Sequence, residues 1–188
     1  MVFKDVISVL GFDKRAISSV SKRGFRDAYL VLLGVACLIV LFAFLFPAAY
    51  ELEAIASLGI VARVFAFFFG VGLMFVFLSG YVWLSAFIVR FVARLLGGSG
   101  STKKLFRVFS FISVLYVLSN IPVDAFLVQL LLVVWVVSLE VFVISVIEQV
   151  SVARAAAIFL LYMLCFAVIF FFLLLVFVLP LALVGVLA

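Results

Sequence analysis

Histidine is absent from the 188 residues, cysteine occurs twice, proline three times, and charged side chains make up only 11% of the chain. Each shortage closes off a class of function. Without histidine the commonest general base and metal ligand is gone, and a serine-histidine nucleophile with it. Cys37 and Cys165 each lie inside an apolar run, where they read as packing residues; a disulfide framework is not expected. The charge content is less than half the ~25% of a soluble domain. With 71% hydrophobic residues, 25 phenylalanines and a mean hydropathy of +1.63, the chain is expected to be one domain with membrane lipid as its solvent.

The net charge of +5 is not a nucleic-acid signal, because the basic residues sit in short segments flanking apolar runs. The first 26 residues hold six Lys/Arg and two Asp, with no apolar run of signal-peptide length before residue 28, so a cleavable signal is not expected. Phe3, Val6, Ile7 and Leu10 share one helical face, and Ile17, Val20 and Phe25 lie among basic residues beyond Gly11. Residues 1–27 therefore read as a cytoplasmic interfacial amphipathic segment on the membrane surface. Residues 28–188 read as an all-α, five-helix transmembrane bundle, with spans over 28–49, 64–89, 106–121, 123–147 and 155–184. The third is short, ~24 Å of helix, and ends at Pro122. Pro122 and Asp124 then form a minimal turn. In the second span Gly72, Ser79, Trp83, Ala86 and Arg90 fall on one narrow arc, a stripe suited to close helix approach.

Charge sets the orientation. Residues 90–107 carry five positive charges and no negative one, and the N-terminal 27 residues carry six basic and three acidic. The loop after the first span has one basic and two acidic residues. The positive-inside rule places the N-terminus and the 90–107 stretch in the cytoplasm and the C-terminus outside.

The stretch 90–107, RFVARLLGGSGSTKKLFR, is not a P-loop, since the order G-x-x-x-x-G-K-[ST] is missing. Its glycines suit a helix C-cap, and Ser101 or Thr102 suits the next N-cap. Lys103, Lys104 and Arg107 are the candidate contacts to anionic lipid headgroups or a partner. Glu140 is the most informative intramembrane residue; with Ile144 and Glu148 it forms one face of the fourth span, and an inter-helix ion pair with Arg90 or Arg94 is expected. Gln129, Ser110, Ser113 and Ser138 read as interhelical hydrogen-bonding groups. No residue set suggests catalysis, a cofactor or a metal.

The linker ARLLGGSGSTKKLFRVFSFISVLYVLSNIP, residues 93–122, resembles the Yip (Ypt/Rab-interacting protein) family in its order of helix end, Gly-rich turn, short third helix and terminal proline. Trp135 and the Ser151-Val-Ala-Arg-Ala155 segment extend the resemblance. It implies a non-enzymatic five-span membrane protein with a membrane-organising, scaffolding or trafficking-like role. Small GTPases enter as partners through the resemblance alone. The chain lacks the long acidic or Pro-rich N-terminal region of eukaryotic relatives and looks closer to compact prokaryotic members, which would place it in the cell membrane. Membrane lipids, a membrane-protein partner or a second copy are the other partners expected. The alternative is a small transporter or channel component with a polar pathway at Glu140 and Gln129.

Overall fold

The computed structural model describes residues 2–45, 59–119 and 126–187. All regular structure among them is helical. Two short helices, α1 (Val2–Leu10) and α2 (Lys14–Ser21), precede α3 (Phe25–Leu45) and α4 (Ile60–Leu95). They are followed by α5 (Thr102–Ile112), α6 (Leu115–Ser119), α7 (Phe126–Glu148) and α8 (Val152–Leu187). Four segments are long and apolar enough to cross a membrane: α3, α4, α7 and residues Val152–Val176 of α8. The protein is thus a helical, multi-pass membrane protein.

The core does not run evenly along the bundle. It gathers around α5, an 11-residue helix in which Leu105, Phe106, Val108, Phe109, Phe111 and Ile112 are all buried. Helices α1, α2, α3, α4 and α7 all pack on it. On α3 the buried residues Ala28, Val31, Leu32, Val35, Ala36 and Ile39 repeat at three- and four-residue intervals, as one face of a helix must. Away from α5 the bundle turns large apolar side chains outward, among them Phe68, Phe69, Phe77 and Phe170. In water such a surface would aggregate; in a bilayer it is the lipid face.

The third hydrophobic segment differs from the single helix expected over 106–121. It begins four residues earlier and breaks at Ser113 and Val114. The serines supply the reason. Ser110 Oγ donates back to the Phe106 carbonyl (2.8 Å) and Ser113 Oγ to the Ser110 carbonyl (2.7 Å). Such back-bonding competes with the backbone ladder and bends helices. Its shortness is tolerated because protein, not lipid, surrounds α5. The expected turn at Pro122 and Asp124 lies outside the described residues, as does the end of the first span at 46–49.

The N-terminal segment also differs from expectation. It folds as two helices, and their apolar residues Val9, Ile17 and Val20 are fully buried against the bundle. Part of the amphipathic face thus meets α5 and α7, while Ile7 stays 57% exposed. Phe12, at φ 61°, makes the corner and packs edge-on against Phe142 of α7 at 5.6 Å. Trp135 Nε1 donates to the Leu10 carbonyl (3.3 Å), tying α1 to the same helix.

An aromatic stack locks α3, α4 and α5 together. Trp83 lies 4.3 Å from Phe106 at an interplanar angle of 20° and 5.8 Å from Phe25 at 24°. Its Nε1 donates to Tyr29 Oη at 3.0 Å. The small-residue stripe on α4 is real at Trp83, Ala86 and Arg90 but not at Gly72, which has no neighbour within 4 Å of a would-be Cβ. Gly70 makes the approach there, with Val40 of α3 at 3.5 Å.

Truncating Phe106 to Ala is expected to cost about 3–5 kcal/mol, as for large aromatic side chains in packed cores. Phe170→Ala, on the lipid face, should leave stability nearly unchanged. Thermal unfolding in detergent separates the two; equal losses would contradict a core centred on α5.

Candidate functional site

The loop between α4 and α5 closes over a buried carboxylate. Helix α4 ends in a Schellman motif: the Gly98 N–H donates to the Ala93 carbonyl (2.7 Å) and the Gly97 N–H to the Arg94 carbonyl (3.4 Å). Gly97 takes the left-handed position at φ 81°, which a side chain would strain. Gly98 and Gly100 serve a different purpose, since the loop backbone passes against Glu148. A Cβ on Gly98 would lie 2.6 Å from Glu148 Oε2, and one on Gly100 would lie 2.6 Å from Oε1. Ser101 occupies the N-cap position of α5 without a side-chain capping bond.

Glu148 is the last residue of α7 and is 0% exposed. Its Oε2 accepts from Arg90 Nη1 at 2.7 Å and from the Gly100 N–H at 2.9 Å. Arg90 Nη1 also donates to the Gly98 carbonyl (3.0 Å), and the Ser99 N–H donates to the Glu148 carbonyl (3.0 Å). One ion pair thereby joins α4, the glycine loop and the end of α7. The cost of burying a charge is offset by hydrogen bonds to it. Here Arg90 and the loop backbone both bond Oε2, while Oε1 is buried with no hydrogen-bond partner among the described residues.

The expected pairing of Arg90 with Glu140 is corrected by this geometry. Glu140 lies two turns deeper in α7, ~12 Å from Glu148, while Arg90 meets the loop that caps the helix end. Arg94 is exposed and is part of the helix cap, not a partner of Glu140. The shared face of Glu140 and Glu148 was visible in the sequence; which acid faced arginine depended on where the loop crossed.

Glu140 instead lines a cavity of about 10 Å³, with Tyr81, Ser85, Tyr116 and Tyr162 contributed by α4, α6 and α8. Tyr162 Oη donates to Ser85 Oγ at 3.2 Å, and the Tyr81 and Tyr116 rings meet edge-on at 6.0 Å. Sequence reasoning did not single out these residues; tyrosines inside otherwise apolar spans are the signal that could have. Gln129 is exposed and separated from Glu140 along the helix by Leu132, Val133 and Val136, so α7 itself presents no continuous polar track between them.

Of the three proposed headgroup contacts, Lys103 and Lys104 are exposed. Arg107 is not available for that role. Its guanidinium stands 4.6 Å over the Phe25 ring and Nη1 donates to the Ser21 carbonyl at 2.9 Å. It fastens the α2–α3 corner to α5. The acids at this end are likewise engaged. Asp5 and Asp27 both pair with Arg23, the latter at 3.7 Å, and Asp13 caps α2 by accepting from the Arg15 N–H at 2.8 Å. Lys14, Arg15, Lys22, Arg26, Arg94, Lys103, Lys104 and Arg154 are exposed, and among the described residues none has an acidic partner within ion-pair distance.

Comparison with protein-family models, curated proteins and solved structures finds no match.

Gly100→Ala is expected to displace the loop and lower stability by about 1–3 kcal/mol, the usual range for overpacking. Gly72→Ala, in open space on the same protein, should be neutral or stabilising by up to ~1 kcal/mol. Thermal unfolding of both variants in detergent checks the pair of expectations.

Proposed function

We propose that the chain is a non-enzymatic, membrane-organising protein of Yip-like type, which holds anionic lipid headgroups, or an acidic partner, at a basic cytoplasmic face. The observation that carries this reading is the charge accounting at the loop end of the bundle. Asp5, Asp13, Asp27 and Glu148 are committed to internal contacts, while lysines and arginines from α2, α3, α4, α5 and α8 remain exposed. A surplus of one sign at the headgroup level attracts anionic lipid by about 1 kcal/mol per residue.

Five spans with the N-terminus inside belong to the same proposal. The positive-inside rule supports it, since the basic surplus lies where α3 and α8 begin and α4 and α7 end. The short α5–α6 segment then serves as the third crossing, shielded by its neighbours. The order of helix end, Gly-rich turn, short third helix and terminal proline over residues 93–122, with Trp135 and residues 151–155, is what supports a Yip-like assignment. The rigid frame around Arg90 and Glu148 suits a scaffold, because it fixes the loop that presents Lys103 and Lys104.

The joint reversal Lys103→Glu and Lys104→Glu is expected to lower retention of anionic over zwitterionic phospholipid by on the order of tenfold or more. Lipid analysis of protein purified from native membrane reads this, with loop accessibility checked from the cytoplasmic side. Unchanged lipid retention in correctly oriented protein would sink the proposal.

A further inference from the structure

Glu140 presents a separate problem of charge. It lies within α7, one of the membrane-crossing helices, and a carboxylate at that depth requires a counter-charge or a polar cavity. Among the described residues no lysine or arginine pairs with it; the nearest candidate in sequence reasoning, Arg90, is held by Glu148. The cavity beside Glu140 is walled partly by apolar Val82, Phe109 and Ile112 and partly by hydroxyl-bearing side chains. Tyr81, Ser85, Tyr116 and Tyr162 line the same cavity, and its volume of about 10 Å³ is that of a single water-sized particle.

The backbone beside this cavity is irregular. The Tyr116 N–H donates to the Ser113 carbonyl at 3.0 Å, three residues back, just past the break between α5 and α6. Non-helical backbone at membrane depth is tolerated where it is buried in protein or lines a cavity.

We propose that this cavity is a monovalent-cation site, sized for a dehydrated sodium ion. The ligands are the Glu140 carboxylate and the hydroxyl oxygens of Ser85, Tyr116 and Tyr162. One carboxylate balances one positive charge, which selects against divalent ions that gather several. Oxygen donors alone select against the softer transition metals. No cluster of three His, Cys, Asp or Glu side chains exists among the described residues to suggest a divalent centre. Because the ligands come from α4, α7, α8 and the α5–α6 segment, the ion would join four elements at the depth where the helix breaks.

The test is thermal unfolding of the purified, full-length protein in detergent, in sodium, potassium and choline chloride at equal ionic strength. Sodium is expected to raise the melting temperature above choline, with potassium less effective. Glu140→Gln should abolish the sodium-dependent increment. A saturable sodium titration of intrinsic fluorescence gives a second reading on the native protein, and Glu140→Asp, which keeps the charge but shortens the reach, should weaken its midpoint by about tenfold. No sodium-specific stabilisation, or an increment unchanged in Glu140→Gln, would overturn the site. Stabilisation by acid alone with no response to sodium would also overturn it, making a proton the counter-charge.

Discussion

The contact on which the rest of the structure depends is the buried pair of Arg90 and Glu148. It is formed by the last turns of two membrane helices and sealed by a loop whose glycines are spaced to pass within van der Waals reach of the carboxylate. Removing Arg90 would leave the fully buried Glu148 carboxylate without its counter-charge, a loss of several kcal/mol, whereas Arg90 is partly exposed and keeps its bond to the Gly98 carbonyl. The pair also sets the start of α5. Once the loop is pinned to the end of α7, Thr102 begins a helix that must descend through the middle of the bundle. The position of α5 then determines the faces of α1, α2 and α3 that are buried.

From this arrangement follows a division of the molecule into two environments. Near the loop, protein packs on protein: Trp83, Phe106 and Phe25 stack, Arg107 reaches the α2–α3 corner, and the N-terminal helices cover α5. Farther along, α4 and α8 expose phenylalanines that require lipid. The same division explains why acidic residues are consumed inside while cations remain outside. At that end Asp5, Asp27 and Glu148 fix arginines and Asp13 caps a helix, while the exposed cations sit at the level where headgroups supply the opposite charge.

Much of this was legible in the sequence, though not evenly. The apolar runs located the membrane helices, because length and hydropathy act on each helix alone. The glycine turn was legible too, but its logic was only partly so. Gly97 is required by backbone conformation, whereas Gly98 and Gly100 are required by a carboxylate about fifty residues away. The ion pair itself was half legible: Arg90 was singled out, but with the wrong acid, since depth along a helix does not reveal where a loop will cross. The amphipathic face of the N-terminal segment was legible and read as a membrane-surface face; in the fold Val9, Ile17 and Val20 from it are buried where α1 and α2 pack on α5 and α7. The break at Ser113 was hidden because serine back-bonding depends on rotamers that sequence does not encode. The cavity beside Glu140 was hidden for a related reason, being assembled from single residues on separate elements.

The account therefore stands on the coupling between Arg90 and Glu148, and a double-mutant cycle measures it directly. Unfolding of Arg90→Met, Glu148→Met and the double variant would be followed in detergent. The account predicts that Arg90→Met is severely destabilising and that the double variant is no worse than that single change, a coupling energy of about 1–3 kcal/mol or more. Strict additivity of the two single effects would show that the pair does not hold the loop and would contradict it.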